Sequence, residues 1–193
     1  MEFKNCVVIT GGIACGKSTM CDILQKLGYT ILNADLIARD ALNAKKEEVF
    51  KIFDCKDEQN EIDRAKLGAI VFNSALAKKQ LEDIVHPEMF TQIYNQAQAL
   101  EEQNKLYFLD FPLFFETGQK QIPKAVVVVY ITQEMQLKRL MGRNTFSRQE
   151  ALARINSQID IEQKKSLAQF VIDNSGSQDA LYKQTLNLLE RLK

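Results

Sequence analysis

The chain has a single histidine, His86, and four cysteines, Cys6, Cys15, Cys21 and Cys55, with no C-x-x-C spacing among them. One histidine cannot by itself build a metal site of the usual His/Cys kind. The cysteines form no disulfide framework, so a reduced, cytoplasmic protein is the economical reading. Net charge is missing too: 25 basic residues balance 25 acidic ones. That balance argues against a nucleic-acid binder working by phosphate neutralisation, and any recognition of phosphate must be local. The longest uninterrupted apolar run, 125–131, is far too short to span a bilayer and suits a strand buried on both faces of a parallel sheet. No signal peptide is expected, because the N-terminal apolar run breaks at Gly11-Gly12. No internal repeat, low-complexity linker or N-K-x-D guanine motif is present. The 193 residues are enough for one sizeable core, with room for insertions.

What is present is concentrated in one stretch. Gly11-Gly12-Ile13-Ala14-Cys15-Gly16-Lys17-Ser18-Thr19 fits G-x-x-x-x-G-K-[ST], the phosphate-binding loop of nucleoside triphosphatases and kinases. Gly11 and Gly16 permit backbone angles that let successive N–H groups turn inward around phosphate oxygens. Lys17 supplies a point charge for the β- and γ-phosphates, and the Ser18 hydroxyl can hold Mg²⁺. The flanks fit as well: 3–10 reads as a buried strand and 17–27 as a helix. Strand, glycine turn and helix N-terminus together make an electrostatic trap for phosphate. Cys15 sits in the same trap beside Lys17, a setting that favours the thiolate; the plainer alternative is an inert residue filling a small position.

Beyond the first helix, 29–32 reads as a second strand delivering Asn33-Ala34-Asp35 at its C-terminal end, where open α/β sheets place ligand-binding groups. Asp35 there is equally placed to act on a ligand or to cap the helix that follows. Residues 36–104 are almost wholly helical in pattern, with Asp63 as an N-cap and a break expected at His86-Pro87. This is too much helix for one crossover, and a helical subdomain inserted between strands is expected. Strand character returns at 106–110 and ends in Asp110, which can orient Mg²⁺ or its water shell, or simply cap the strand. A fourth strand at 125–131 and a fifth at 170–172 precede a closing helix at 179–192. Arg139, Arg143, Arg148 and Arg154 flank turn-like Gly142 and Asn144-Thr145. Such a run is usually a solvated face; here it matches a lid that carries guanidinium groups over transferring phosphates. Strands alternating with helices predict an α/β fold with a five-stranded parallel sheet. Asp173-Asn174-Ser175-Gly176 also fits the D-x-x-G of GTPase switches, but too near the C-terminus to serve as one.

The whole motif set resembles one family, dephospho-coenzyme A kinase, almost end to end. The resemblance rests on Thr10-Gly11-Gly12-Ile13 leading into Gly16-Lys17-Ser18-Thr19, on Ala34-Asp35 with Ile37-Ala38-Arg39, and on Ile62-Asp63-Arg64, Val71-Phe72, Leu81-Glu82 and His86-Pro87. Asp110-Phe111-Pro112-Leu113-Phe114-Phe115-Glu116 is similar to the family's D-x-P-L-x-F-E, and Arg139-Leu140, Arg143, Ser147, Glu150-Ala151, Arg154-Ile155 and Gln158 to its lid segment. The resemblance implies phosphorylation of the ribose 3′-hydroxyl of dephospho-coenzyme A by ATP with Mg²⁺, the last step of coenzyme A synthesis. It implies ATP contacts from Gly12 to Thr19 and at Asn174 and Gly176, proton acceptance by Asp35, and Arg143 reaching the phosphates from a closing lid. Arg39, Arg64, His86 and Asp110 become contacts for the acceptor, although His86 serves equally as a helix break. The implied layout is a P-loop kinase core of about 1–34, 105–141 and 169–193, an acceptor-binding helical insertion of about 35–104 and a lid of about 142–168. No nucleic acid, membrane or obligatory protein partner is implied. Four positions depart from the family pattern. Ala14 and Cys15 stand where Gly and Ser are common, which is tolerable for Ala14 if its φ stays negative. Asn33 and Asn144 replace common Asp residues. A Pro-Gly is also absent from 42–46. The alternatives are another kinase of a nucleoside, nucleotide or sugar acid, and a regulatory module that binds ATP without an acceptor.

Overall fold

The structure, a computed structural model, describes residues 2–118, 122–143 and 146–192. The chain folds into two compact units, Met1–Leu32 with Leu100–Lys193 and, between them in the chain, Asn33–Ala99.

The first unit is built on a parallel sheet of five strands: β1 (Glu2–Gly11), β2 (Ile31–Asn33), β3 (Tyr107–Asp110), β4 (Ile122–Tyr130) and β5 (Phe170–Asp173), in the order β2-β3-β1-β4-β5. β1 is therefore central. Its register pairs Val8 with Leu109 on one side and with Val126 on the other. Strands covered on both faces need apolar side chains at every position, and Val7, Val8 and Ile9 are all at most 1% exposed. The cover comes from α1 (Lys17–Lys26), through Met20 and Leu24, and α9 (Gln178–Arg191), through Leu181 and Leu188. Each such side chain stabilises the fold by about 1.5–3 kcal/mol. α1 stops at Gly28, whose φ of 89° is the left-handed C-terminal turn that glycine supplies without strain. Tyr29, read from sequence as strand, instead packs edge-on against Phe108 at 5.5 Å. The remaining helices of this unit are α6 (Gln133–Arg143), α7 (Arg148–Asn156) and α8 (Ile161–Leu167). Gly142 does not interrupt α6, and Asn144-Thr145 lie outside the described residues.

The second unit contains α2 (Ala34–Ala44), α3 (Lys46–Phe50), α4 (Arg64–Phe72) and most of α5 (Ala75–Glu101). Val49, Phe53, Cys55, Ile62, Leu67 and Ala77 form its apolar centre. Asp63 caps α4 as expected, accepting from the N–H groups of Ala65 and Lys66. The break expected at His86-Pro87 does not occur: α5 runs through Pro87. Proline removes one helical N–H, but Val85, Met89, Ile93 and Ala97 are all buried at a spacing of four. That apolar row crosses the proline unbroken, so burial carries the helix past a single lost bond. No helix among the described residues is long and apolar enough to cross a membrane.

Candidate active site

With β1 at the centre of the sheet, its C-terminal end opens between the exits of β3 and β4. The chain leaves Gly11 there and turns through Gly12–Gly16 into α1. One glycine is sterically fixed. A Cβ on Gly11 would lie 2.7 Å from the Val129 carbonyl oxygen; one on Gly12 would meet only the far end of the Gln136 side chain, 2.2 Å from its amide nitrogen. Gly16 takes φ 88°, open to glycine at no cost. Unlike Asn33, Asp63, Ser147, Asp160 and Ser177, which cap α2, α4, α7, α8 and α9 with their side chains, Gly16 offers α1 no cap, and the first turn of α1 carries no acid. The unsatisfied N–H groups and positive end of the dipole are thus left for an anion.

A cavity of about 530 Å³ lies over this loop, lined by Gly11 to Thr19 and by Arg139, Arg143, Gln158, Asn174 and Gly176. Every sequence-predicted ATP contact from Gly12 to Thr19, with Asn174, Gly176 and Arg143, is therefore brought to one place. Asn174 is buried and holds the loop itself. Its Nδ2 donates to the Cys15 carbonyl at 2.8 Å, and its own carbonyl accepts from Arg139 at 2.7 Å. Ser18 is exposed to the cavity. Lys17 is ion-paired with Asp110, which the Ile9–Asp110 register sets beside the end of β1. Of the other two arginines in the basic run, Arg154 stacks 4.0 Å from the Phe146 ring, and Arg148 opens α7 without reaching the cavity lining.

Two expectations about the loop are corrected. Ala14 has φ 61°, not a negative angle. The reversal places a Cβ in the left-handed region, at a cost of about 1–2 kcal/mol. Cys15 is not poised as a thiolate. It is 1% exposed within the main core, and burial raises its pKa despite the Gly12 hydrogen bond and the Lys164 charge that oppose it. Burial similarly pushes Cys21 up to about 12, with Asp110 adding to the effect.

The remaining candidates belong to the helical unit. Asp35 is exposed in the first turn of α2 and is not its cap: the Asn33 side chain holds that position, accepting from Leu36 N–H at 2.9 Å. Arg39 is exposed on α2, Arg64 is exposed as the first residue of α4, and His86 lies half-buried on α5 with its ring 5.5 Å from Phe90. Sequence reasoning missed Gln136 and Lys164. Gln136 donates to the Ile13 carbonyl at 2.8 Å, and Lys164 is fully buried against Glu116 at 2.6 Å. Glu162-Gln163-Lys164-Lys165 reads as a solvated helix face, and nothing in its composition signals the buried member.

A central parallel strand delivering an uncapped, glycine-built loop and its lysine to such a cavity defines a P-loop kinase. The chain belongs to the dephospho-CoA kinase family, whose model matches residues 5–180. It is 44% identical over 191 residues to a dephospho-CoA kinase of Carboxydothermus hydrogenoformans, covering 96% of this chain and 93% of the relative. A Helicobacter pylori protein of the same name is 41% identical across 100% of both chains. Among solved structures, a Thermus thermophilus protein superposes with a TM-score of 0.85 at 33% identity, covering 97% of each chain. The dephospho-CoA kinase of Campylobacter jejuni superposes with a TM-score of 0.71 at 37% identity, covering 99% of this chain and 98% of the other.

Proposed function

We propose that this chain transfers the γ-phosphoryl group of ATP to the ribose 3′-hydroxyl of dephospho-coenzyme A, giving coenzyme A and ADP in the cytoplasm. One observation carries the reading: the loop residues Gly11 to Ser18, with Lys17 among them, and Arg143 line one cavity in a chain that matches this kinase family over nearly its whole length. Phosphoryl transfer is mainly positioning and charge stabilisation. The loop N–H groups hold the β-phosphate, and Lys17 exchanges its Asp110 partner for phosphate oxygens as ATP enters. Arg143, exposed at the C-terminal end of α6, adds charge to the transferring group when the segment of about 142–168 closes as a lid. Asn174 and Gly176 border the place of the adenine. Asp35 orients the acceptor hydroxyl and takes its proton, worth about 10²–10⁴-fold in rate. Arg39, Arg64 and His86 serve the acceptor, whose phosphates suit the two arginines.

The residues fit Mg²⁺ as a partner of ATP. This ion keeps several waters and takes one or two protein oxygens beside phosphate oxygens. The exposed Ser18 hydroxyl would supply one ligand, and the Asp110 carboxylate would act through water. No cluster of three or more His, Cys, Asp or Glu exists among the described residues. When bound, it neutralises charge across the β- and γ-phosphates. ATP and dephospho-coenzyme A suffice as partners, with no part for nucleic acid, membrane or another protein. The test is coenzyme A formation and ADP release by the purified chain with Mg-ATP and dephospho-coenzyme A, beside a panel of nucleosides, nucleotides and sugar acids. Equal or faster release with another acceptor, or none that depends on an acceptor, overturns the reading.

A further inference from the structure

One buried charge pair takes no part in the proposed reaction. Lys164 lies on α8, is fully buried, and has three oxygen partners: Glu116 Oε1 at 2.6 Å, the Pro112 carbonyl at 3.0 Å and the Gly11 carbonyl at 3.4 Å. An ammonium group has three donors, so it is fully engaged. Each partner belongs to a segment that borders the loop. Gly11 is the loop's first residue, and Pro112 sits at the exit of β3, where its carbonyl also accepts from Thr10 Oγ1 at 2.9 Å. Glu116 Oε1 accepts from Ile159 N–H at 3.1 Å as well, and Glu116 Oε2 has no partner among the described residues. Next to Ile159, Gln158 Oε1 accepts from Ile13 N–H at 2.8 Å, while Gln136 grips the Ile13 carbonyl from the other side. These bonds close a ring from Gly11 through Lys164, Glu116, Ile159 and Gln158 back to Ile13. Directly after the ring in the chain comes Ala14, held in its left-handed conformation.

We infer that Lys164 and Glu116 are positioning residues that hold the phosphate loop in its strained, ATP-receptive conformation and tie it to the connection between α7 and α8. This rests on the reading that the loop binds ATP. Burying two charges is a poor route to stability, because a well-packed apolar pair of similar volume is often as stable or more so. The arrangement makes sense where geometry is what the pair supplies. Both peptide groups flanking Ile13 are fixed from outside the loop, so Ala14 cannot relax to a negative φ without breaking one of them. The ring also limits the lid. Gln158 and Lys164 are bonded to residues that line the cavity, and Ile159 to Glu116 beside them, so 158–164 stays in place when the proposed lid closes.

The test removes the pair as a pair, with Lys164→Met combined with Glu116→Leu in the full chain. Thermal melting, ATP titration by calorimetry in Mg²⁺ buffer without acceptor, and hydrogen exchange across 11–16 are compared with the parent. The expected result is a melting temperature close to the parent's, an ATP dissociation constant raised about ten- to a hundredfold, and faster exchange in the loop but not in β1 or β4. Unchanged ATP affinity overturns the inference, as does a weakened affinity with unaltered loop exchange. A double variant that fails to fold overturns it too, since the pair would then serve the fold and not the loop. A parent that binds no ATP sinks instead the functional reading beneath it, so the two failures are distinguishable.

Discussion

The two units of this molecule use charge in opposite ways. In the helical unit the ion pairs Lys45–Glu48, Lys46–Glu61, Lys66–Asp54, Lys78–Glu82 and Lys79–Asp83 all lie on the surface, where solvent and salt leave little net effect. The α/β unit has surface pairs too, Lys165–Glu162 and Lys183–Asp179, but it also withdraws two pairs from water, Lys17–Asp110 and Lys164–Glu116. Both border the phosphate loop. Desolvating an ion costs several kcal/mol, so buried pairs mark where the fold gives up stability for placement. The helical unit makes no such sacrifice: its stability comes from the apolar cluster around Val49, Phe53 and Leu67. Substitutions in the two units should therefore fail differently.

Asp35→Asn should break the pattern most sharply, because it gives an exposed residue of the helical unit the largest single effect. The change keeps shape and removes the charge proposed to accept the hydroxyl proton, so turnover should fall about 10²–10⁴-fold. Asn33, not Asp35, caps α2, and the melting temperature and ATP affinity should barely move. Calorimetric ATP titration beside a coupled ADP-release assay measures both halves. Turnover above about a tenth of the parent's, outside the range for a lost base, would move the proton acceptor elsewhere, with Asp110 next in line.

Lys17→Ala comes second. Loss of its proposed charge-assisted contact to phosphate should lower activity about ten- to a hundredfold. Sequence alone places this lysine toward ligand and away from the core. The structure adds its pairing with Asp110, which is only 6% exposed. Alanine leaves that carboxylate buried without its cation, so stability should fall as well, by about 1–3 kcal/mol. Urea denaturation of Lys17→Ala beside Lys17→Ala with Asp110→Asn checks this. Equal midpoints for the two variants would show that Asp110 needs no cation.

What could be read from the chain follows the range of the interactions involved. The loop, its flanking strand and helix, the Asp63 cap and the five-strand parallel sheet depend on neighbouring residues and on hydrophobic period, which a sequence displays directly. The passage of α5 through Pro87 was not legible, because the local rule for proline is overridden by burial of Val85, Met89 and Ile93. The elements that hold the loop were hidden for the same reason. Gln136 and Lys164 reach residues 11–13 across separations of 123 and 153, and nothing in their own surroundings marks them; Gln158 stood out only as part of the lid motif, without its bond to Ile13 across 145 residues. The low-pKa reading of Cys15 failed because a local argument from helix dipole and lysine ignored its burial, which is a property of the whole fold.

Asp63→Ala sharpens the comparison from the other side. Its carboxylate accepts from Ala65 and Lys66 N–H, each at 3.0 Å, and removing a cap of this kind costs about 1 kcal/mol. A shift of that size in the denaturation midpoint is expected, with ATP affinity unchanged. A weakened ATP affinity would mean that polar groups of the helical unit are not independent of the loop.

The smallest effect is expected at Ala14, where three contributions nearly cancel. Ala14→Gly relieves about 1–2 kcal/mol of left-handed strain. It also frees the unfolded chain, which costs about 0.4–1 kcal/mol. The lost methyl packs partly buried beside Leu140, Ala151 and Ile155, worth at most about 0.8 kcal/mol. The middle of each range leaves a net change of only about 0.4 kcal/mol, a shift in melting temperature of about 1–2 °C for a chain of this size. Ala14→Val keeps the strain and adds a branched side chain that tolerates positive φ less well, so it should be clearly destabilised. The pair of variants isolates the backbone angle from the packing. If Gly and Val lower the melting temperature alike, the angle at Ala14 carries no strain and the ring of bonds around Ile13 has nothing to restrain.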